Sequence, residues 1–456
     1  VDRTTALLTE YASNLSYDAL PPAVVHATKR TLIDTMGCAA GGYFSEPCEV
    51  ARRVAQRLSS DPPARMLGGR LTSALDTAAF ANTAAVRYLD CNDTTSVASG
   101  HPSDMIGALL TVADVERCDG RAIMAAVVAS YDVFGYLSGG LSSGKGGWDQ
   151  ATMAAAGVAC GAAKLMGLSQ QQMAHALSIS LVGNLTLFVT RTGELSMWKG
   201  CATAGAARAA VFAAQLARDG MTGPEAPFEG SRGLWEQAVG KDVPPPDFTP
   251  GAPGAFTITA STYKEYPCQV HLQAPIRLAL DLRQQLNGEG VASVSITTFA
   301  TAVRQTGSEA EKWDPQTRET ADHSMPYVVG RALRDGVVSP ASFAEDRIKD
   351  PSLRPLLATI RVQEDPAFTA RFPHERPCRV EVTTTAGRTL TAETATPKGH
   401  RSNPLTDAEV EAKFRRLTGD VLSAAQQDAA IATLWSFDQA SSVDALYEQL
   451  VVVERV

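Results

Sequence analysis

Basic runs, C-x-x-C pairs and long apolar stretches are all missing from this sequence. Lysines and arginines are scattered through a chain of net charge -8, so nothing neutralises a row of phosphates and no nucleic-acid partner is expected. The eight cysteines lie far apart, a spacing that suits neither a zinc knuckle nor an iron–sulfur cluster. Mostly buried thiols in a reducing compartment are the expectation. No window approaches the roughly 18 uninterrupted apolar residues of a membrane span. The most apolar helical stretch, Ala202 to Ala217, is mostly alanine and is broken by Arg208. The N-terminal "VDRTTALLTEYASNLSYDAL" mixes acids and polar residues with apolar ones, the pattern of an amphipathic helix and not of a signal peptide. A cytoplasmic protein without membrane contact is expected.

What is present fills two domains. The chain has 456 residues, 45% of them hydrophobic, enough for a large core. From the start to about residue 260 the apolar spacing is helical, as in "PPAVVHATKRTLIDTMGCAAGG", which has Pro22 near its start and a glycine pair at its end. Ala and Gly are abundant in these segments, so the helices are expected to pack backbone close to backbone. "VPPPDFTPGAPGA" over 243–255 reads as a connection. Beyond it "VASVSITTF", "LATIRVQE" and "CRVEVTTTAGRTLTAE" alternate like strands, the last turning at Ala386-Gly387. "QVHLQAPIRLALDLRQQL" and "SMPYVVGRALRDG" are helical between them. Thr406 and Glu409 form a capping box for a last helical segment, which is expected to pack back on the first domain. The fold expected is mainly α: an all-helical domain over 1–260 and 405–456, and a smaller α+β domain over 261–404.

One glycine-rich stretch, "SGGLSSGKGGW" over 138–148, matches two motifs at once. Gly140 to Gly144 is G-x-S-x-G around Ser142, and Gly139 to Lys145 is most of a phosphate loop. A nucleophile elbow needs a strand before the serine, and a helix precedes it here. The phosphate loop lacks the Ser/Thr after its lysine, since Gly146 stands there. The stretch reads as a loop between helices, and its neighbour "GWDQAT" matters more than its glycines.

Four clusters carry candidate chemistry. "YLDCNDTTSVASGHPSDMIGALL" gathers Asp90, Asn92, Asp93, Thr94, His101, Ser103 and Asp104 where two apolar helices meet. Capping by Ser103 or Asp104 explains part of it. Acids and one histidine at two helix ends also suit acid–base work. Calcium fits poorly, because Thr95 replaces the glycine an EF-hand loop requires. In the second cluster, Lys199 stands at the start of an alanine-rich helix, where the dipole disfavours a cation unless an anion intervenes. The third, "STYKEYPCQVHLQAP", offers Lys264, Tyr266, Gln269, His271 and Gln273 at the passage between domains, and in the fourth His323 precedes an apolar helix with Ser324 as its cap. Cations, histidines and donors around a few acids suit a small polycarboxylate that loses a proton beside a carboxylate. No metal triad, dinucleotide fingerprint or reactive cysteine accompanies them.

"LDCNDT…GHPSDMIGALL", "KEYPCQVHLQA", "KWDPQTRETADHSMPY" and "PKGHRSNPLTDAEVEAKF" resemble the MmgE/PrpD family, and the likeness runs nearly end to end. That family includes 2-methylcitrate dehydratases, cis-aconitate decarboxylase and iminodisuccinate epimerase. The resemblance implies a helical domain closed by an α+β lid, a homodimer, an active site between the domains, and catalysis without cofactor or metal. By position it carries functional roles to Asp90, Thr94, His101, Lys199 and Lys264. "YPCQVHLQ" resembles the dehydratase form. The decarboxylase branch has His at the places of Gln269 and Gln273, and the epimerase-like form has His at Gln273. The spacer "TSVASG" between Thr94 and His101 is short and polar where relatives often carry Trp or His.

The resemblance therefore implies a cofactor-independent hydro-lyase for a citrate-like hydroxy-polycarboxylate, first of all 2-methylcitrate. Asp90 or His101 would take the proton, Lys199 and Lys264 would hold carboxylates, and His271 or Tyr266 would assist departure of the hydroxyl. Asn92, Asp93, Thr94, Ser103, Gln269, Gln273 and His323 are the candidate substrate-binding residues. Decarboxylation or epimerisation on the same scaffold, a serine hydrolase using Ser142, and a non-catalytic small-acid binder are the alternatives.

Overall fold

Helix starts follow the short polar side chains. Asp2 accepts the N–H of Thr5 at 2.8 Å, Asp119 that of Ala122 at 2.8 Å, and Asp149 that of Ala151 at 3.0 Å. These contacts open helices Arg3–Asn14, Gly120–Ser142 and Gln150–Leu165. The computed structural model describes residues 1–95, 100–144, 146–252 and 254–453. They form two units. The first comprises Val1–Thr190, Gly200–Ser261 and Thr406–Val456; the second comprises Arg191–Lys199 and Thr262–Leu405.

The first unit is built on helices Leu75–Tyr88, Asp104–Val115, Gly120–Ser142, Gln150–Leu165 and Ala202–Arg218. Small residues bring their backbones together. A Cβ on Gly107 would lie 2.8 Å from the backbone of Asn82 and Thr83, so Asp104–Val115 meets Leu75–Tyr88 with nothing between. The C-terminal helix Asp407–Thr418 opens with the Thr406–Glu409 capping box. It docks on Pro22–Gly41 through Lys413, whose buried ammonium donates to Asp34 Oδ1 at 2.5 Å and to the Cys91 carbonyl at 2.6 Å.

The second unit has a four-stranded sheet in the order Ile360–Glu364, Val291–Thr298, Cys378–Thr384, Thr389–Thr394. The first pair is parallel and the other two are antiparallel, with Ile296 opposite both Val362 and Val380. Gly387, at φ 82°, turns the hairpin at the expected Ala386-Gly387 pair. Val294, Ile296, Val380 and Val382 form one core with Ile276 and Leu282 of helix Gln273–Gln285 and Val328 of helix Met325–Asp335.

Several expectations need correction. "SGGLS" is not a loop but the end of helix Gly120–Ser142, and the Ser142 hydroxyl donates to the Ser138 carbonyl at 2.6 Å. Lys145, the lysine of the phosphate-loop pattern, lies outside the described residues. Gly120–Ser142, not 202–217, is the helix among the described residues long and apolar enough to cross a membrane by length and composition, and most of it is buried in the protein. The stretch over 243–255 stays on the first unit, within the bounds expected for the helical domain. Tyr11 stacks on Phe248, Tyr136 donates to the Pro244 carbonyl, and the N–H groups of Phe256 and Thr257 donate to Asp132. The chain passes to the second unit after Ser261, one residue beyond the expected boundary. Residues 191–199, read as helical-domain sequence, cluster with the second unit, and a short antiparallel pair, Ala64–Arg65 with Thr72–Ser73, interrupts the helices of the first.

Candidate active site

In the first unit the loop between helices Leu75–Tyr88 and Asp104–Val115 is stitched by its own polar side chains. Asp90 turns the chain at φ 50°, a conformation Asp tolerates better than most residues. Arg87, one turn back and buried, donates to Asp90 Oδ1 at 2.6 Å and places its Nε 3.4 Å from Asp104 Oδ2. Asn92 donates to Ser103 Oγ and Asp104 Oδ1, each at 2.7 Å. Asp93 accepts from Ser261 at 2.6 Å, Tyr131 at 3.1 Å and the Ser103 N–H at 3.2 Å. Burial raises the Asp93 pKa above the usual carboxylate value, against the pull of these donors. The helix thus gets its N-terminal acceptor from Asp93; the Ser103 side chain makes no cap bond. Thr94 donates to the Gly100 carbonyl at 2.8 Å and pins the base of the spacer, whose residues 96–99 lie outside the described residues.

His101 closes this framework at the start of the second helix. Its Nδ1 is 2.6 Å from the Asp93 carbonyl, which can only accept, so Nδ1 carries a hydrogen. Its Nε2 lies 3.4 Å from Asp90 Oδ1. Both partners are acceptors, and the ring has a place for a second proton. The His101 N–H donates to Gln150 Oε1 at 2.6 Å, while Gln150 Nε2 reaches Asp104 Oδ2 at 3.2 Å and Thr203 at 3.4 Å. Gln150 belongs to "GWDQAT", the neighbour of the glycine-rich stretch. Asp93 and Asp104 each accept from several protein donors.

In the second unit Lys199 sits in the turn Met197–Gly200, before the alanine-rich helix and not in it. The anion beside it is a side chain: Asp322 Oδ1 and Oδ2 lie 3.2 and 3.5 Å from its Nζ, and both residues are buried. Asp322 Oδ1 is also 2.5 Å from His323 Nδ1, and Oδ2 is 3.5 Å from Arg318 Nη1. Burial pushes the Asp322 carboxyl upward, but the charges of Lys199 and His323 outweigh it and hold the group below its usual pKa. Arg191, donating to the Lys199 carbonyl at 2.9 Å, fixes the turn.

The junction residues divide by role. Lys264 is fully buried. His271 stands edge-on to Phe299 and Phe372, with centroids at 5.0 and 5.9 Å. Burial, followed by the charges of Arg376, His323, Lys264 and Arg304, drives its pKa well below the ordinary value. Gln269 caps the turn Val270–Leu272, accepting the His271 N–H at 2.5 Å and donating to Gln305 at 3.0 Å. Gln273 accepts the N–H groups of Glu265 and Tyr266 at 2.9 and 3.0 Å and donates to the Tyr266 carbonyl at 3.1 Å. Both glutamines, read as substrate ligands, brace the backbone that carries Lys264, Tyr266 and His271. Sequence reading missed Arg87 and Asp322. Each had a signal: Arg87 stands one turn before Asp90, and Asp322 adjoins His323.

A carboxylate–imidazole pair at two helix ends and buried lysines on an α+β unit are the equipment of an acid–base enzyme. Residues 6–246 match the MmgE/PrpD N-terminal domain and residues 266–439 the MmgE/PrpD C-terminal domain. The chain belongs to the MmgE/PrpD family, and is an enzyme of that family. The 2-methylcitrate dehydratase of Escherichia coli (strain K12) is 25% identical to it over 395 residues, covering 81% of this chain and 79% of the relative. That of Cupriavidus necator is 28% identical over 388 residues, 80% of this chain and 76% of the relative. The cis-aconitate decarboxylase of Homo sapiens is 25% identical over 425 residues, 89% and 85% of the two chains.

Proposed function

We propose that this enzyme dehydrates a citrate-like hydroxy-polycarboxylate, with 2-methylcitrate to 2-methylaconitate as its reaction. The observation that carries the reading is the placing of His101 between the Asp93 carbonyl and the Asp90 carboxylate. A ring so held accepts the proton beside a substrate carboxylate, and Asp90 stabilises the imidazolium that results. Lys199 and Lys264 hold substrate carboxylates and the negative charge that builds on one of them as the proton leaves. The hydroxyl departs as water after receiving a proton. His271, kept neutral by burial and by neighbouring cations, enters as a hydrogen-bond donor, so Tyr266 takes the role of acid. Gln269 and Gln273, at the places where the decarboxylase branch carries His, favour dehydration over decarboxylation. The same reading includes a homodimer in the cytoplasm, to be checked by light scattering and fractionation.

Incubating the enzyme with 2-methylcitrate, citrate and related hydroxy acids, followed by NMR, tests the proposal. An alkene product with loss of water is expected. Carbon dioxide release from cis-aconitate, or deuterium exchange with no alkene, would assign the scaffold's other chemistries instead.

A further inference from the structure

The second unit contains a group of buried polar side chains, of which Arg376 and His400 have no part in the proposed reaction. Arg376 is 7% exposed, His400 is 0% exposed and His271 is 8% exposed. Among the described residues, Arg376 Nε and Nη1, His400 Nε2 and His271 Nδ1 have no hydrogen-bond partner. Four buried polar atoms without partners in one unit are costly unless something else satisfies them.

Local geometry fixes which of these atoms carry a hydrogen. The Ser402 N–H donates to His400 Nδ1 at 3.3 Å, and the Ser402 hydroxyl lies 2.7 Å from the same nitrogen. Nδ1 is therefore the acceptor of the ring, and Nε2 carries the hydrogen. The guanidinium of Arg376 offers only donors. The chain draws these groups together. Phe372 touches His271, and Arg376 follows four residues later with its N–H on the Ala395 carbonyl at 3.0 Å. From Ala395 the backbone runs to Gly399, whose carbonyl accepts the Tyr263 N–H at 3.0 Å, setting His400 beside the backbone of Lys264. The approach is close enough that a Cβ on Gly399 would overlap the Tyr263 carbonyl oxygen. Charge agrees with geometry: His400 feels Arg376 and Arg401, His271 feels Arg376 and Lys264, and Arg376 feels Arg401. Burial and Arg401 lower the Arg376 pKa to about 10, which still leaves it charged at neutral pH.

We infer that Arg376 and His400, with His271 beside them, form a carboxylate-binding subsite that takes the substrate carboxylate farthest from the reacting carbon. A planar pair of oxygens supplies the acceptors that N–H groups of this kind lack, and the negative charge offsets the crowding of cations. The inference rests on the reading of the enzyme as acting on a polycarboxylate, and it gives Arg376 and His400 a role in substrate recognition.

Propane-1,2,3-tricarboxylate, which cannot be dehydrated, separates this inference from the reaction. Calorimetric titration should show Arg376→Gln and His400→Gln each binding it about ten- to hundredfold more weakly than the unaltered enzyme. Turnover by the same variants should show KM rising more than kcat falls. A crystal structure of the unaltered enzyme with this ligand should place a carboxylate on Arg376 Nε or Nη1 and on His400 Nε2, and this readout stands even if a variant fails to fold. Unchanged affinity in both folded variants, or ordered water alone on these atoms with the ligand bound elsewhere, would overturn the subsite while leaving the dehydratase reading intact. Weakened binding in an enzyme that dehydrates nothing would uphold the subsite and sink the reaction. Inorganic phosphate occupying Arg376 and His400 without displacing the tricarboxylate would also overturn the inference, by assigning the site to a separate anion.

Discussion

His101 holds a hydrogen on Nδ1 because the Asp93 carbonyl leaves it no other choice, and in the proposed reaction that constraint leaves Nε2 as the proton acceptor. Replacing it in His101→Asn keeps a donor for the carbonyl and removes the proton acceptor. We expect kcat to fall by about 10²- to 10⁴-fold, the usual worth of a positioned base, with the Kd for propane-1,2,3-tricarboxylate changing far less. His400 gives a second prediction, about stability. Burial, then the charges of Arg376 and Arg401, lower its folded pKa to about 4 from an ordinary 6.5. Between those values the unfolded chain binds the proton that the folded chain refuses. Stability is therefore flat above about pH 6.5 and falls as pH drops towards about 4, by at most about 3 kcal/mol. Urea unfolding across that range should show a shallower acid slope in His400→Gln; an identical slope would remove His400 as the cause. Of these two residues, only His101 was legible in the sequence. His400 sits in a segment quoted for its family likeness, and nothing along the chain announces that a glycine contact with Tyr263 buries it.

At the scale of elements, the site depends on how closely two helices approach. Gly107 lets Asp104–Val115 rest on the backbone of Leu75–Tyr88, and Arg87, Asp90 and Asp104 sit where these helices bound the loop. Gly107→Ala forces the pair apart. We expect a loss of about 1–3 kcal/mol of stability together with a fall in kcat, as Arg87 and Asp104 separate; thermal melting and steady-state kinetics read the two effects. The helices themselves were plain from apolar spacing and caps, and so were the strands from their alternation. The end of Gly120–Ser142 was not. Glycines at 139 and 140 look like a loop to local propensity, yet Gly140 packs against Trp235 and Val243, so tertiary contact carries the helix to Ser142. The Pro/Gly stretch, read as a connection within the first domain, has irregular backbone that Asp132 and Tyr11 hold on the first unit.

Across the whole molecule, the first unit is assembled from three separated pieces of chain, and Lys413 joins the last to the first. The ammonium is buried with Asp34 on one side and the Cys91 carbonyl on the other. Burial opposes the charge, yet the Asp34 carboxylate raises the Lys413 pKa above its usual value. Lys413→Met leaves the Asp34 carboxylate buried without its cation. The expected cost is about 3–5 kcal/mol, measured by urea unfolding, and the double variant Lys413→Met/Asp34→Leu should regain much of it. The helical and α+β divisions were visible from the change in residue pattern. The transfer of residues 191–199 to the second unit was not, since it rests on contacts of Leu195 with Thr317 and Thr320, more than a hundred positions away.

Those chain crossings also dictate an order of events during synthesis. The polypeptide leaves the first unit after Thr190, returns at Gly200, leaves again after Ser261 and comes back for good at Thr406. While the ribosome is still translating the α+β portion, the nascent helical portion has no partner for Asp34 and no cover for the face of Pro22–Gly41 that Asp407–Thr418 will occupy. The inserted unit is released whole before its host is finished, so the earliest-made helices wait longest, and a chaperone that binds uncovered apolar helix faces would find its target there.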